Sequence, residues 1–303
     1  MKISNIKYSL YVLLLSAAAT GCRPDGKDYT LQPMPQLDFE FVPGANANSY
    51  ILVNKSSAPT QPRWESTNGT SLAGDSARIR FVFPGTYEVT MKAAAQGGIG
   101  SVTKSITINQ SDPTACDPAN PLGFIASCTN KTWKLNPEAG AYKVGPGANN
   151  GSWWTSGPGE PAARPCEFND EYTFSFNQAG DFVYDNKGDV FGDGYLGNGN
   201  GCQPNSALSA AHAPWASGNF KFTVSETGGI NGLGQLTVIG VGAHIGLQKV
   251  HNGGESTSGP VGDRIVYDIL SMERNVGGQG YDLLTLGVHI GGDGWWTFTL
   301  RSF

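Results

Sequence analysis

The chain of 303 residues is poor in charge: only 15% of its residues are Asp, Glu, Lys or Arg, and the formal net charge is −5. It has no cluster of basic residues. That weighs against nucleic acid, where neutralised phosphates supply most of the affinity, and equally against anionic lipid surfaces and strongly anionic polysaccharides. Helix-like periodicity is scarce, and no apolar run is long enough to span a bilayer as a permanent helix. No two cysteines are spaced Cys-x-x-Cys, and no histidine stands near them at ligand spacing, which removes the usual zinc patterns. The nucleophile elbow Gly-x-Ser-x-Gly and the zinc motif His-Glu-x-x-His are both missing. Gly192-Asp193-Gly194-Tyr195-Leu196-Gly197 has the spacing Gly-x-Gly-x-x-Gly. It runs into Asn198-Gly199-Asn200-Gly201 instead of a helix, so it makes no phosphate site.

Glycine and proline are plentiful, 42 and 18 residues, and tryptophan occurs seven times. This composition, with apolar and polar residues alternating over short stretches, predicts an all-β protein with many turns. Residues 37–110 form a first domain. Leu37–Phe41, Ser49–Val53, Ala77–Phe83, Thr86–Ala93 and Ser101–Ile108 alternate as half-buried strands do, and strands at this spacing imply a small sandwich. Ser111-Asp112-Pro113 marks the boundary, since proline enforces extended backbone after the last strand. Asn120-Pro121 reads as a helix N-cap with proline at the first helical position, predicting one turn over Leu122–Ser127. From Lys131 the strands resume: Thr132–Leu135, Glu171–Phe176 and Asp181–Tyr184 around a hairpin turn, Asn219–Val224 with Gln235–Ile239, Arg264–Leu270, Tyr281–Ile290 and Trp295–Leu300. Residues 111–303 are thus a second, larger β-domain.

The first residues are an address. Lys2 and Lys7 precede a short apolar run, Tyr8–Leu15, and then small residues, the pattern of an export signal over 1–21. Ala19-Thr20-Gly21-Cys22 resembles the lipobox of bacterial lipoproteins, which implies that Cys22 carries acyl chains and anchors the protein to a membrane. Residues 22–36 then read as a tether. Asp25 and Asp28 stand where surface-exported lipoproteins of polysaccharide-degrading bacteria carry acidic residues, implying the outer face of the outer membrane. Removal of 1–21 takes away two lysines and no acid, so the net charge moves from −5 to −7. Setting Cys22 aside leaves four cysteines, an even number in an exported chain. Three pairings exist. Locality favours Cys116–Cys128 and Cys166–Cys202, worth roughly 3 and 4 kcal/mol in the loop-entropy picture.

In the first domain, Arg63-Trp64-Glu65 with Asn68-Gly69, followed by Phe83-Pro84-Gly85-Thr86-Tyr87-Glu88-Val89-Thr90, closely resembles the PKD family of immunoglobulin-like domains. The likeness implies a spacer with Trp64 in its core and carries no catalytic residue. The second domain resembles a module that follows PKD domains in surface glycan-binding lipoproteins, encoded beside starch-utilisation-type (Sus-like) outer-membrane transporters. The residues that carry this are Thr132-Trp133-Lys134-Leu135, Val144-Gly145-Pro146 with Trp153-Trp154, Arg164–Glu171, Gly240–Val250, Asn252-Gly253-Gly254-Glu255 and Trp295-Trp296. The resemblance implies a jelly-roll-like β-sandwich that binds a polysaccharide, a β-glucan such as laminarin being the first guess, with a neighbouring transporter complex as partner.

The residues themselves agree with that implication. Neutral sugars offer apolar C–H faces and a rim of hydroxyls, so binding needs flat aromatic plates with a few fixed polar groups. The candidate plates are Trp153, Trp154, Trp215, Trp295 and Tyr195. Adjacent residues on a strand face opposite ways, so one of Trp153 and Trp154 is expected to enter the core. Likewise Trp295, on the face of Thr297 and Thr299, is expected outside, and Trp296, with Phe298 and Leu300, inside. Trp215 is expected in a loop between strands, with a binding or lid role. Arg164, Asp170, His244, Lys249, Asn252 and Glu255 are the polar candidates. Glu167, Asp170 and Glu171 are close in sequence but lack the Glu-x-Asp-x-x-Glu pattern of laminarinases, so the chain is expected not to be an enzyme. The alternatives are a glycan hydrolase or lyase, the latter with His244 or His251 as base, and a non-binding spacer or adhesin. No cofactor is implied; a calcium ion at Asp185-Asn186-Lys187-Gly188-Asp189 matches no loop motif, and a polar turn is the simpler reading.

Overall fold

A computed structural model describes residues 32–197 and 199–302; the expected export signal, Cys22 and the expected tether through residue 31 lie outside them. The chain divides into two compact units. One takes the residues through Ile79 together with Thr86–Ile106, the other Arg80–Gly85 and Thr107 onward, so the division falls a few residues earlier than expected.

The first unit has strands β1 (Phe39–Pro43), β2 (Ser49–Asn54), β3 (Gln61–Ser66), β4 (Ser71–Ala73), β5 (Ser76–Arg80), β6 (Gly85–Ala95) and β7 (Gly98–Ile108). They form a three-stranded sheet, β1-β2-β5, and a four-stranded one, β4-β3-β6-β7. Along β6 the side chains of Tyr87, Val89, Met91 and Ala93 are buried while Glu88 and Lys92 face water. The two sheets meet where Phe39 of β1 packs edge-on against Trp64 of β3, ring centroids 5.2 Å apart. Trp64 is core, as expected, and its Nε1 donates to the carbonyl of Gly74 at 2.8 Å.

The second unit has β8 (Asn130–Leu135), β9 (Tyr142–Pro146), β10 (Trp154–Thr155), β11 (Glu171–Ser175), β12 (Asp181–Asp185), β13 (Asp189–Asp193), β14 (Asn200–Pro204), β15 (Gly218–Ser225), β16 (Gln235–Ile239), β17 (Val250–His251), β18 (Gly254–Glu255), β19 (Arg264–Glu273), β20 (Leu283–Gly291) and β21 (Gly294–Ser302). Its main sheet runs β10-β9-β21-β20-β19-β16-β15-β12-β11-β8, and β21 also pairs with β8. Leu300–Ser302 of β21 pair with Trp133–Leu135, while Gly294–Phe298 pair with Tyr142–Pro146. Through that double pairing the sheet closes on itself, its walls facing each other across one core. The all-β expectation holds. The wiring is an antiparallel meander in which neighbours in the main sheet largely follow chain order, rather than the crossed connections of a jelly roll.

The core consists of the inward side chains of the closed sheet, among them Trp133, Tyr172, Phe174, Phe182, Leu236, Tyr267, Leu286, Trp296 and Phe298. A loop, Gly240–Lys249, enters one end as a plug and adds Ala243, Ile245 and Leu247 to this core. Tyrosine hydroxyls fix it: Ile245 N donates to Tyr267 Oη at 2.9 Å and Gly246 N to Tyr172 Oη at 3.1 Å. Gly246 has φ +77°, and a Cβ there would lie 2.3 Å from Phe298 Cδ1, so no larger residue fits.

Among the described residues three short α-helices interrupt the strands: α1 (Pro121–Ala126), α2 (Glu160–Ala163) and α3 (Pro165–Phe168). The first was expected, with Asn120 at its N-cap position. The Asn120 side chain does not cap it, however, but donates to the carbonyl of Thr114. The other two were not foreseen, because four-residue helices carry no periodicity to read. Both favoured disulfides, Cys116–Cys128 and Cys166–Cys202, are present. Asp185–Asp189 is a polar turn, in which Lys187 N donates to Asp185 Oδ1 and Gly188 N to Asn186 Oδ1.

Candidate glycan site

A cavity of about 340 Å³ opens beside the plug. Segments far apart in the chain build it. Tyr142 of β9, Trp154 of β10 and Trp296 of β21 form the aromatic side; Leu247 and Lys249 come from the plug loop. Glu160 and Arg164 come from α2 and the residue that follows it, Glu167 from α3, and Phe191, Asp193 and Tyr195 from the β13–β14 hairpin. Cys166–Cys202 fastens α3 to that hairpin, so two walls are covalently joined.

Trp154 and Trp296 stand with ring centroids 6.2 Å apart and planes inclined at 62°. Trp154 is 37% exposed and Trp153, its neighbour, 56%. The expectation that one of them enters the core is therefore wrong. β10 is a two-residue strand pairing only with β9, at the end of the sheet, where both rings keep more than a third of their surface exposed. Trp295 is half-buried and Trp296 buried, as expected. Even so, Trp296 reaches the cavity, and its Nε1 donates to Glu255 Oε1 at 2.6 Å.

The polar rim is internally paired. Lys249 Nζ lies 2.8 Å from Glu255 Oε2 and 5.8 Å from the centre of the Trp296 ring. Arg164 donates through Nε to Glu160 Oε2 at 3.1 Å and through Nη1 to Glu167 Oε2 at 3.4 Å, with its guanidinium stacked 4.1 Å from the Phe191 ring. Glu167 Oε2 also accepts the Tyr142 hydroxyl at 3.2 Å. Burial pushes the Glu167 carboxyl up to about 7 against the opposing pull of Arg164, and burial holds the Tyr195 phenol well above its ordinary value.

Of the eleven candidates, Trp154, Tyr195, Arg164 and Lys249 line this cavity, and Glu255 backs it through Trp296 and Lys249. Trp295 and Asn252 line another. Three are misplaced as surface groups. Trp215 is 1% exposed: it stacks on His212 and fills a small cluster with Val190 and Leu196 that supports the hairpin carrying Tyr195. Asp170 is buried, accepts the Tyr184 hydroxyl at 2.8 Å, and burial raises its pKa strongly. His244 is buried in the plug, donates through Nδ1 to the carbonyl of Gly242 at 2.7 Å, and burial lowers it to about 4. Alternation alone cannot show that a loop folds back into a closed sheet. Tyr142, Glu160, Glu167, Phe191, Asp193, Leu247 and Trp296 were not candidates. Glu167 had one legible signal, three acids crowded within five residues.

No family model matches the sequence, and no curated protein matches it either. Among solved structures, the PKD1 domain from the Vibrio cholerae metalloprotease PrtV is similar to a quarter of the chain, at 18% identity and TM-score 0.23, over 98% of that domain. The PKD1 domain of Vibrio anguillarum Epp is similar over 27% of this chain and 99% of its own, at 17% identity and TM-score 0.24.

Proposed function

We propose that this chain is a lipid-anchored, cell-surface protein that binds a neutral polysaccharide, a β-glucan such as laminarin in the first instance, and holds it for degradation and uptake by a neighbouring transporter complex. One observation carries the reading: an exposed indole and a second indole stand 6.2 Å apart over a preformed cavity in which Arg164 is paired with Glu160 and Glu167, and Lys249 with Glu255. A sugar entering there meets apolar plates and hydrogen-bonding groups with little unbalanced charge to desolvate. Affinity electrophoresis in gels containing laminarin tests it; migration equal to that in plain gel ends the β-glucan reading. Incorporation of labelled palmitate, lost on Cys22→Ala, tests the anchor.

A second reading, a glycan hydrolase, draws on Glu167, a carboxyl raised to about 7 in the same cavity as Glu160 and Asp193. Hydrolysis needs a raised acid opposite an ionised carboxylate. Release of new reducing ends from a polysaccharide panel, abolished by Glu167→Gln, would establish it; silence across the panel would discard it.

A further inference from the structure

Trp295 and Asn252 belong to neither the mouth cavity nor the core. Trp295 directly precedes Trp296 on β21, and adjacent residues of a strand point to opposite faces: Trp296 looks inward to the cavity described above, here called the mouth, and Trp295 looks out from the wall. There it lines a more open cavity of about 320 Å³, with Gln235, Asn252, Asp268, Gly287 and His289. We infer that this outer-wall cavity is a second carbohydrate site, taking a neutral pyranose against the Trp295 ring, so that the domain grips glycan on both faces of one strand. The inference rests on the carbohydrate reading above.

Three features make this a built cavity rather than a crease. First, the β19–β20 ladder stops at Asp268↔Gly287. Beyond it the Asn252 side chain stands in for a strand: its Nδ2 donates to the carbonyl of Val266 at 2.8 Å and its Oδ1 accepts from Val266 N at 2.7 Å. Gly253 N donates to the carbonyl of His289 at 3.0 Å, so the 252–253 loop wedges the strands apart. Second, the indole lies on a glycine. A Cβ at Gly287 would be 3.3 Å from Trp295 Cε3, closer than side chains ordinarily tolerate, and His289 flanks the ring with centroids 5.2 Å apart. Third, the polar groups are fixed in place. Asp268 Oδ1 accepts from Gln235 Nε2 at 2.7 Å and Oδ2 from Ile230 N at 3.0 Å. His289 Nε2 donates to the carbonyl of Gly292 at 2.9 Å, and since a carbonyl only accepts, the neutral ring presents Nδ1 as an acceptor. An aromatic plate beside carboxylate, amide and imidazole acceptors suits sugar hydroxyls. No lysine or arginine lines the cavity, so an anionic sugar has no counter-charge there. Two sites on one rigid domain would also raise the avidity for a polymer without any new contact.

Isothermal titration of the full chain in detergent with laminarihexaose tests this. Two sites per chain are expected in the wild type, one in Trp154→Ala, one in Trp295→Ala and none in the double variant. His289→Ala, which leaves the strand intact, is expected to weaken the wall site at least tenfold and serves if Trp295→Ala fails to fold. One site in the wild type, with affinity and stoichiometry unchanged in both Trp295→Ala and His289→Ala, overturns the second site and leaves the mouth standing. Binding kept in Trp154→Ala but lost in Trp295→Ala supports the wall site and overturns the mouth instead. No heat from any of the proteins overturns both for β-glucans.

Discussion

Both units bury tryptophan, and the partner of the indole N–H separates Trp64 from Trp296. Trp64 in the first unit donates to a backbone carbonyl, Gly74, and is sealed by Phe39. Trp296 in the second unit donates to a carboxylate, Glu255, which also holds Lys249 at the cavity rim. A backbone acceptor satisfies a buried donor at no further cost and leaves the ring to packing. A charged acceptor must itself stay near water or a counter-ion, so an indole that uses one sits at an edge where a ligand can reach it. Burial alone would have classed the two rings together.

Breaking that comparison begins with the largest effect. Trp64→Ala is expected to destabilise the first unit by ~3–5 kcal/mol, visible as a lower-temperature transition in calorimetry, with glycan binding by the second unit retained. If binding disappears as well, the units are not independent and the contrast fails. Removal of Cys166–Cys202 by a double alanine substitution should cost ~2–5 kcal/mol and weaken glycan binding, because it unties α3 from the hairpin; unchanged binding would mean the walls hold without it.

Glu167 sharpens the contrast through pH. Its folded carboxyl titrates near 7 against an ordinary 4.5. The native state therefore holds a proton that the unfolded chain has already lost. Stability from this group is full below about pH 4.5, falls as pH rises, and levels off above about 7, a loss on the order of 3 kcal/mol. Glu167→Gln should flatten that segment of the stability–pH curve; a variant curve parallel to the wild type would refute the assignment. His244, held neutral down to about 4, works in the opposite sense, its contribution being lost as pH falls from about 6.5 towards 4. The two partly cancel in the wild type, so the difference between variant and wild type is the informative quantity.

Smaller effects separate platform from support. Trp154→Ala should leave the melting temperature within a few degrees of wild type, since the ring is 37% exposed, but weaken glycan binding at least tenfold as a central aromatic contact would. A large fall in stability without loss of binding would make it structural. Glu255→Gln keeps an acceptor for the Trp296 N–H and loses only the Lys249 ion pair, so chemical denaturation should report a change of about 1 kcal/mol or less.

Much of the architecture was legible in the chain. Alternation located nearly every long strand, and the pairings Cys116–Cys128 and Cys166–Cys202 followed from locality. On β21 the polar company of Trp295 told it apart from Trp296. What failed did so for common reasons. Trp215, Asp170 and His244 were judged by loop position and polarity, but each lies in a segment that folds back under its neighbours. Trp153 and Trp154 were judged by strand alternation, but a two-residue strand at the free end of a sheet leaves both rings partly exposed.

The sequence by itself determined an all-β chain, the disulfide partners and which face of the last strand each indole takes, because those properties depend on local spacing and a period of two. Only the tertiary structure decided that the second sheet closes through β21 and β8, that Gly240–Lys249 plugs one end, and that α2, α3 and the β13–β14 hairpin stand around Trp154 and Trp296. Those outcomes depend on which distant segments meet, and contact between residues over a hundred positions apart leaves no periodic trace in the chain.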